Sequence, residues 1–393
     1  MKTSIYFVVI VCLATVSCYG PEQLLKEGNS KFTGKMFTEV AKQNPEKSFV
    51  LSAFSVLNPL AQLALGSEGE SHDELLRAIG LPDDRTTKNA FMQLNYKHKF
   101  IQGVDLRMAN KIYVANGYSL KKDYAAVVRE TFESEVENVD FTTSQSAADE
   151  INNWVEQQTN GRIKDLVDPN SFDELTRALL VNAIYFLGTW KHPFNESNTR
   201  DSDFYLPNGK TIQLPTMFIE EKYYYVDSEE LNASILGMPY VGDESTFYIV
   251  LPNNVEGINE LLEKLKDFSV LEKTLYNLYA TKVEAYIPKF KIETTTNLKE
   301  ILPEIGVEGI FDASKANFNK MITDSEYDLY ISGATQKAFI EVNERGTEAT
   351  ASNVFGMYGA SRIVDHVTFR ADHPFVYVLK TGGNILFSGV FHP

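Results

Sequence analysis

Residues 338–366 read AFIEVNERGTEATASNVFGMYGASRIVDH, and this stretch joins two characters that a single element does not share. From Ala338 to Asn343 the residues alternate in strand period, with Ala338, Ile340 and Val342 on one side and Phe339, Glu341 and Asn343 on the other. Gly346 breaks the alternation. Small or polar residues follow, Thr347, Ala349, Thr350, Ala351 and Ser352, too weakly apolar to hold a strand unaided but with nothing that forbids one. The segment can be loop or strand, as its surroundings dictate.

A chain of 393 residues with 44% hydrophobic composition can bury a large core. Its beginning differs from the rest. Met1 to Gly20 has a basic start at Lys2, an apolar run from Ile5 to Ala14 and small residues near Ser17 and Cys18, the pattern of a secretory signal peptide (residues 1–19, cleaved near 18–20) rather than of a membrane span. Both cysteines, Cys12 and Cys18, lie inside it, so the mature chain is expected to hold no disulfide and no cysteine nucleophile. The net charge of −16 becomes more negative once Lys2 is removed, which argues against nucleic acid and anionic membranes as partners. The one basic cluster, Lys97, His98 and Lys99, reads as a solvated turn rather than a heparin-like polyanion site.

Along residues 21–393 the patterning predicts strands and helices interleaved without a regular βαβ beat, an α+β domain with several sheets. Pro21 to Gln43 is amphipathic at helical spacing, Ser48 to Leu51 is a short buried strand, and Ser71 with Glu74 forms a capping-box pattern before LLRAIG. VDLRMANKIYVANG reads as a strand ending at Asn116-Gly117, and Ser146 to Thr159 as a helix. Ala178 to Leu187 is almost wholly apolar, the composition of a strand covered on both faces, with Asn182 its one strongly polar member. Thr246 to Leu251 and Val283 to Ile292 read as strands, and Phe375 to Lys380 and Asn384 to Val390 as a hairpin about Gly382-Gly383. Two sequons, at Asn195 and Asn232, suit a secreted glycoprotein.

Catalytic signatures are missing. There is no G-x-S-x-G elbow, no H-E-x-x-H pair and no phosphate loop, and the six histidines show no ligand-like spacing, so neither hydrolase chemistry, a metal nor a cofactor is indicated. What remains is a set of motifs in fixed order. VLSAFSV (50–56), LVNAIYFLGTW (180–190), NERGTEATA (343–351) and ADHPFVYVL with ILFSGVFHP (371–393) together resemble the serpins, over about Glu22 to Pro393. SAFSVLNPLAQLALGSEGESHDELLRAIGLP and IPKFKIETTTNLKEIL are similar, more narrowly, to insect haemolymph serpins of the antitrypsin and alaserpin type.

The resemblance implies a single domain over 21–393, with about three β-sheets, about nine helices and an exposed reactive-centre loop at about 346–366. It implies a secreted, monomeric inhibitor that is no enzyme. A serine protease would attack the loop as substrate, become trapped as a covalent acyl complex, and be carried off as the hinge side of the loop enters the central sheet as a new strand. The hinge is Glu344, Gly346, Thr347, Glu348, Ala349, Thr350, Ala351 and Ser352, with Gly346 giving backbone freedom and small residues suited to burial at alternate positions. At the distance past the hinge glycine where relatives are cut stands Ala360, so the expected bond is Ala360-Ser361, fitting a shallow elastase-like pocket. Two other registers compete: Arg362 would suit a trypsin-like pocket and Tyr358 a chymotrypsin-like one. Ser52, Ser55 and Asn182 match the polar cluster that lets serpin strands part, and Trp190 the tryptophan at the top of the sheet. Ala53 departs from the usual proline, and Gln336 from the usual histidine, which keeps hydrogen bonding but removes a titrating group. A non-inhibitory carrier or storage role is the competing reading.

Overall fold

Proline stands at the first position of helix α1 (Pro21–Gln43), where its missing N–H has no intrahelical partner to lose. The computed structural model describes residues 20–323, 328–347 and 367–393. Strand β1 (Phe49–Leu51) leads into α2 (Ala53–Gly66), which is capped by the Ser52 hydroxyl and buried along its whole length. There follow α3 (Gly69–Ile79), α4 (Asp84–His98), β2 (Val104–Ala115), α5 (Lys122–Phe132), β3 (Val136–Val139), α6 (Ser144–Gln158) and β4 (Ala178–Thr189). The middle of the chain supplies β5 (Arg200–Tyr205), β6 (Thr211–Ser228), β7 (Ala233–Pro239), β8 (Ser245–Pro252), α7 (Ile258–Lys264) and α8 (Phe268–Leu275). The last third holds β9 (Tyr279–Pro288), β10 (Phe290–Asn297), α9 (Leu298–Glu304), β11 (Gly333–Val342), β12 (Gly346–Thr347), β13 (Val367–Arg370), β14 (Phe375–Thr381) and β15 (Asn384–Phe391).

The strands make two hydrogen-bonded networks. One runs β10-β11-β4-β2-β3, with β12 on β4; the other runs β1-β15-β14-β8-β7-β6-β9-β13, with β5 on β6. About three sheets are expected from the sequence, and the third is continuous with the second because the long β6 pairs with β5, β7 and β9 at different points along its length. Period-two alternation in β4 divides the molecule. Ala178, Leu180, Ile184 and Phe186 join the main core, while Leu179, Val181, Ala183 and Tyr185 join a second core under α6. Strand β11 alternates likewise, with Ala338, Ile340 and Val342 in the main core and Phe339 in the second.

Three local readings change. Ser71 and Glu74 do not cap α3, which starts earlier at Gly69; they turn instead to the chain at 309–317, where Glu74 accepts from the Gly309 N–H and Ser71 donates to the Lys315 carbonyl. Val283 to Ile292 is two strands in different sheets, because Pro288 has no N–H to continue the ladder and Lys289 turns the chain, donating its own N–H to the Pro215 carbonyl. The Lys97–Lys99 turn is not simply solvated. Lys97 bonds Glu22, Lys99 bonds Glu133, and the His98 ring lies 5.5 Å from that of Phe54, where burial pushes its imidazole down to about 4.

Candidate functional site

Strand β4 carries a different neighbour on each edge. Strand β2 runs antiparallel along one, from Gly188 down to Ala178. On the other lies β11, parallel, in register from Leu179–Gly333 to Tyr185–Phe339. Above that pair the two strands have no mutual register, yet β4 continues to Thr189 and β11 to Val342. A notch is left at the top of the seam.

The hinge glycine sits in the notch. The chain leaves β11 at Val342 and reverses in a tight turn, in which Asn343 and Gly346 exchange both backbone hydrogen bonds, at 3.0 and 3.3 Å. Gly346 and Thr347 then run antiparallel to β4, opposite Thr189 and Gly188. Only glycine fits: φ at Gly346 is +138°, and a Cβ there would lie 1.9 Å from the Gly188 carbonyl oxygen. Glu344 and Arg345 form the tip of this turn, and the strand ends at Val342, one residue sooner than the alternation suggested.

The tip is braced from three directions. The Trp190 indole donates to the Asn343 carbonyl at 2.9 Å and its backbone N–H donates to Arg345 at 3.0 Å, while its ring stacks on Tyr240 with centroids 4.4 Å apart. The buried Glu344 carboxylate accepts from the Thr199 hydroxyl at 2.7 Å and pairs with Lys289 at 2.8 Å. Burial alone would raise its pKa, but the bonds from Lys289 and Thr199 outweigh that and hold the carboxyl below its ordinary range. Residues 194–196 complete the brace, with the Phe194 N–H donating to the Glu344 carbonyl at 2.8 Å and Glu196 pairing with Arg345 at 2.9 Å.

Lower down, polar side chains meet across the seam on the main-core side. Gln336 of β11 donates to the Ser52 carbonyl (2.7 Å) and to the Asn182 side-chain oxygen (2.6 Å), and accepts from the Ser52 N–H (3.1 Å). Asn182 of β4 donates to the Ser55 carbonyl, bonds Asn110 of β2, and accepts from the Ser55 hydroxyl at 2.8 Å. Ser52, Ser55, Asn182 and Gln336 are all fully buried. Buried amides and hydroxyls that each find a hydrogen-bond partner hold the strands in register, and their partners carry no charge. Trp190 stands just past the end of β4, eight residues beyond Asn182, and braces the 343–346 turn rather than joining this cluster.

On the opposite face a strap crosses the seam. Just beyond α6, Asn160 donates to the Tyr185 hydroxyl of β4 at 2.8 Å, and four residues on the Lys164 carbonyl accepts from Lys337 of β11 at 2.7 Å. Asn110, Asn160, Thr199, Lys289 and Lys337 went unremarked in the sequence. Each is a polar residue whose partner is remote in the chain, and only strand parity placed Lys337 opposite Gln336. Glu348, Ala349, Thr350, Ala351, Ser352, Tyr358, Ala360, Ser361 and Arg362 lie outside the described residues, as does the segment 1–19. Among the described residues no cluster of His, Cys, Asp and Glu could hold a metal, and no helix is long and apolar enough to cross a membrane.

A sheet with a parallel seam, a polar cluster beneath it and its own chain turned back into the top is the arrangement that carries the comparison with known proteins. The chain belongs to the serpin family: the family model described as serpin (serine protease inhibitor) matches residues 27–393. It is similar to alaserpin of Manduca sexta, 50% identical over 97% of this chain and 98% of that one. It is likewise similar to antichymotrypsin-2 of Bombyx mori, 50% identical over 94% of this chain and 98% of that one. Among solved structures, Serpin48 of the insect Tenebrio molitor superposes with a TM-score of 0.86 at 32% identity, covering 95% of this chain and 98% of the other. The protein is therefore a protease inhibitor and not an enzyme.

Proposed function

We propose that the protein is a secreted suicide inhibitor of serine proteases, working by cleavage in 346–366 followed by insertion of the freed strand between β4 and β11. The observation that carries this reading is the antiparallel seating of Gly346-Thr347 at the top of a parallel β4–β11 pair. A strand continuing from Thr347 would run antiparallel to both neighbours, exchanging one slanted parallel ladder for two antiparallel ones, which are more stable per residue. Insertion thus has a driving force and a starting point.

In the covalent step the protease serine Oγ attacks the carbonyl carbon of Ala360. The Ala360–Ser361 C–N bond breaks, the amine of Ser361 leaves with the proton taken from the serine, and an ester joins Ala360 to the protease. If the strand from Thr347 seats before water reaches that ester, the protease is carried away with its acyl group intact. The apolar start of the chain supports export, and the small Ala360 supports an elastase-like target. The body of the chain does not decide specificity, since it is equally similar to proteins named alaserpin and antichymotrypsin-2.

The test is to incubate the chain lacking residues 1–19 with pancreatic elastase, trypsin and chymotrypsin and to run denaturing gels. A complex that survives denaturation with elastase, and a released peptide beginning at Ser361 by mass spectrometry, are the expected results. Cleavage without a stable complex by every protease tried would instead favour a carrier or storage serpin. A peptide beginning at Ile363 or Gly359 would move the bond to Arg362 or Tyr358.

A further inference from the structure

The two sequons sit in opposite surroundings. At Asn195 the side-chain oxygen accepts from the Ser197 backbone N–H at 3.0 Å and from the Ser197 hydroxyl at 2.8 Å, an Asx turn that caps a 3-10 turn on the surface. Its amide nitrogen, the atom that would carry a sugar, has no partner among the described residues, and Asn195, Glu196 and Ser197 are all exposed. Asn232 is held. Its backbone is left-handed, with φ of 52°, its side-chain oxygen accepts from Asn253 at 3.1 Å, and the residue is half-buried. The Ser234 hydroxyl donates to Asp227 at 2.7 Å rather than toward Asn232, and Ser234 lies in β7 with a strand paired on each edge. A glycan on Asn195 would grow from an exposed residue and break no bond of the folded chain, whereas one on Asn232 would have to leave a half-buried residue whose backbone and side-chain oxygen are both fixed.

Position gives the Asn195 site a consequence. Its two chain neighbours are the residues that grip the hinge turn, Phe194 on the Glu344 carbonyl and Glu196 on Arg345. Behind that turn, among the described residues, no strand lies between the facing edges of β4 at 186–187 and of β11 at 340–342. Unpaired facing edges are where a strand of a second copy can add.

We infer that Asn195 carries an N-linked glycan, that Asn232 stays bare, and that the Asn195 glycan screens the top of the β4–β11 seam against strand addition by a second molecule. The inference rests on the proposed export of the chain. The test expresses the full chain in insect cells beside a form whose residues 1–19 are replaced by an independent secretory leader. Peptide mass spectrometry after enzymatic deglycosylation, which converts a glycosylated Asn to Asp, should show conversion at Asn195 and none at Asn232, and Ser197→Ala should abolish the gel shift. A chain that stays in the cell while the leader form is exported counts against the export reading. An unconverted Asn195, or a converted Asn232, in the exported form overturns the site assignment. Mild heating followed by light scattering should show faster oligomer growth in protein trimmed by an endoglycosidase to a single N-acetylglucosamine on an intact Asn195 than in fully glycosylated protein; equal rates overturn the screening role.

Discussion

Strand β14 has a full antiparallel partner on each edge, β15 and β8, whereas β4 has β2 on one edge and, on the other, β11 only as far as Tyr185. The interiors differ as well. Behind β14 the aromatic rings of Phe247, Phe290, Phe375, Tyr377 and Phe391 pack with centroids 4.8 to 6.4 Å apart, closing that sheet with apolar area that nothing further can improve. Behind the β4–β11 seam stand Ser52, Ser55, Asn182 and Gln336, groups that hold position by hydrogen bonds. One sheet is finished and anchors the fold. Among the described residues the other has no strand between β4 and β11 above Tyr185, and under the proposed mechanism its stability can still rise.

The largest effect that follows is on cleavage. Cutting once within 348–362 should raise the melting temperature by several degrees, since several new pairs of ladder bonds each contribute a fraction of a kcal/mol and each kcal/mol is worth about one to two degrees in a chain of this size. Calorimetry of intact and cleaved protein measures it. An unchanged melting point would erase the difference between the two sheets.

Next come substitutions that separate the two regions. Tyr377→Ala removes a fully buried ring that stacks on Phe247 and donates to the Phe49 carbonyl. It should cost about 3–5 kcal/mol in intact and cleaved protein alike. Gln336→Ala leaves the Ser52 N–H without its acceptor and should cost about 1–3 kcal/mol in the intact form. In the cleaved form the cost should differ, because the strands that Gln336 bridges have parted. Urea unfolding of both forms reads this, and an equal loss for Gln336→Ala before and after cleavage would show that the cluster takes no part in opening.

The finished sheet was the more legible of the two. Apolar runs such as 246–251, and the Gly382-Gly383 turn between two strands, follow from periodicity and turn chemistry, because the forces concerned are local or act on every residue of a face. The seam was legible in part. Ser52, Ser55, Asn182 and Gln336 could be named through resemblance, but the hinge turn could not be derived. Its shape depends on Trp190, Thr199 and Lys289, each remote in sequence from Glu344, and polar pairs of that kind carry no periodic signal. Pro288 shows the same limit from another side: the apolar pattern runs on through a residue at which the chain changes sheets.

At the boundary between the two regions, Gly346→Val would put a side chain against the Gly188 carbonyl and force a left-handed backbone on a branched residue. A cost of about 2 kcal/mol is expected, enough to expel the hinge from the notch. Hydrogen exchange at the Trp190 amide, which donates to Arg345, should speed up, while amides in β14 stay protected. Faster exchange in β14 as well would mean that the two sheets do not respond separately.

The smallest effect concerns Glu344. Its carboxyl titrates below the ordinary range when folded, so the folded chain resists the proton more than the unfolded chain does. The stability it adds is complete above the unfolded carboxylate pKa and is lost as the pH falls through the lowered folded value. Glu344→Gln should cost about 1 kcal/mol at neutral pH, because Lys289, being partly exposed, regains water when its partner is neutralised. The variant should then lose less stability than the parent between neutral and acid pH. The loss should fall on the hinge turn, seen as faster exchange at Phe194, whose N–H donates to the Glu344 carbonyl, with β14 unaffected. Parallel acid curves for the two proteins would assign the brace to Trp190 and the backbone bonds alone.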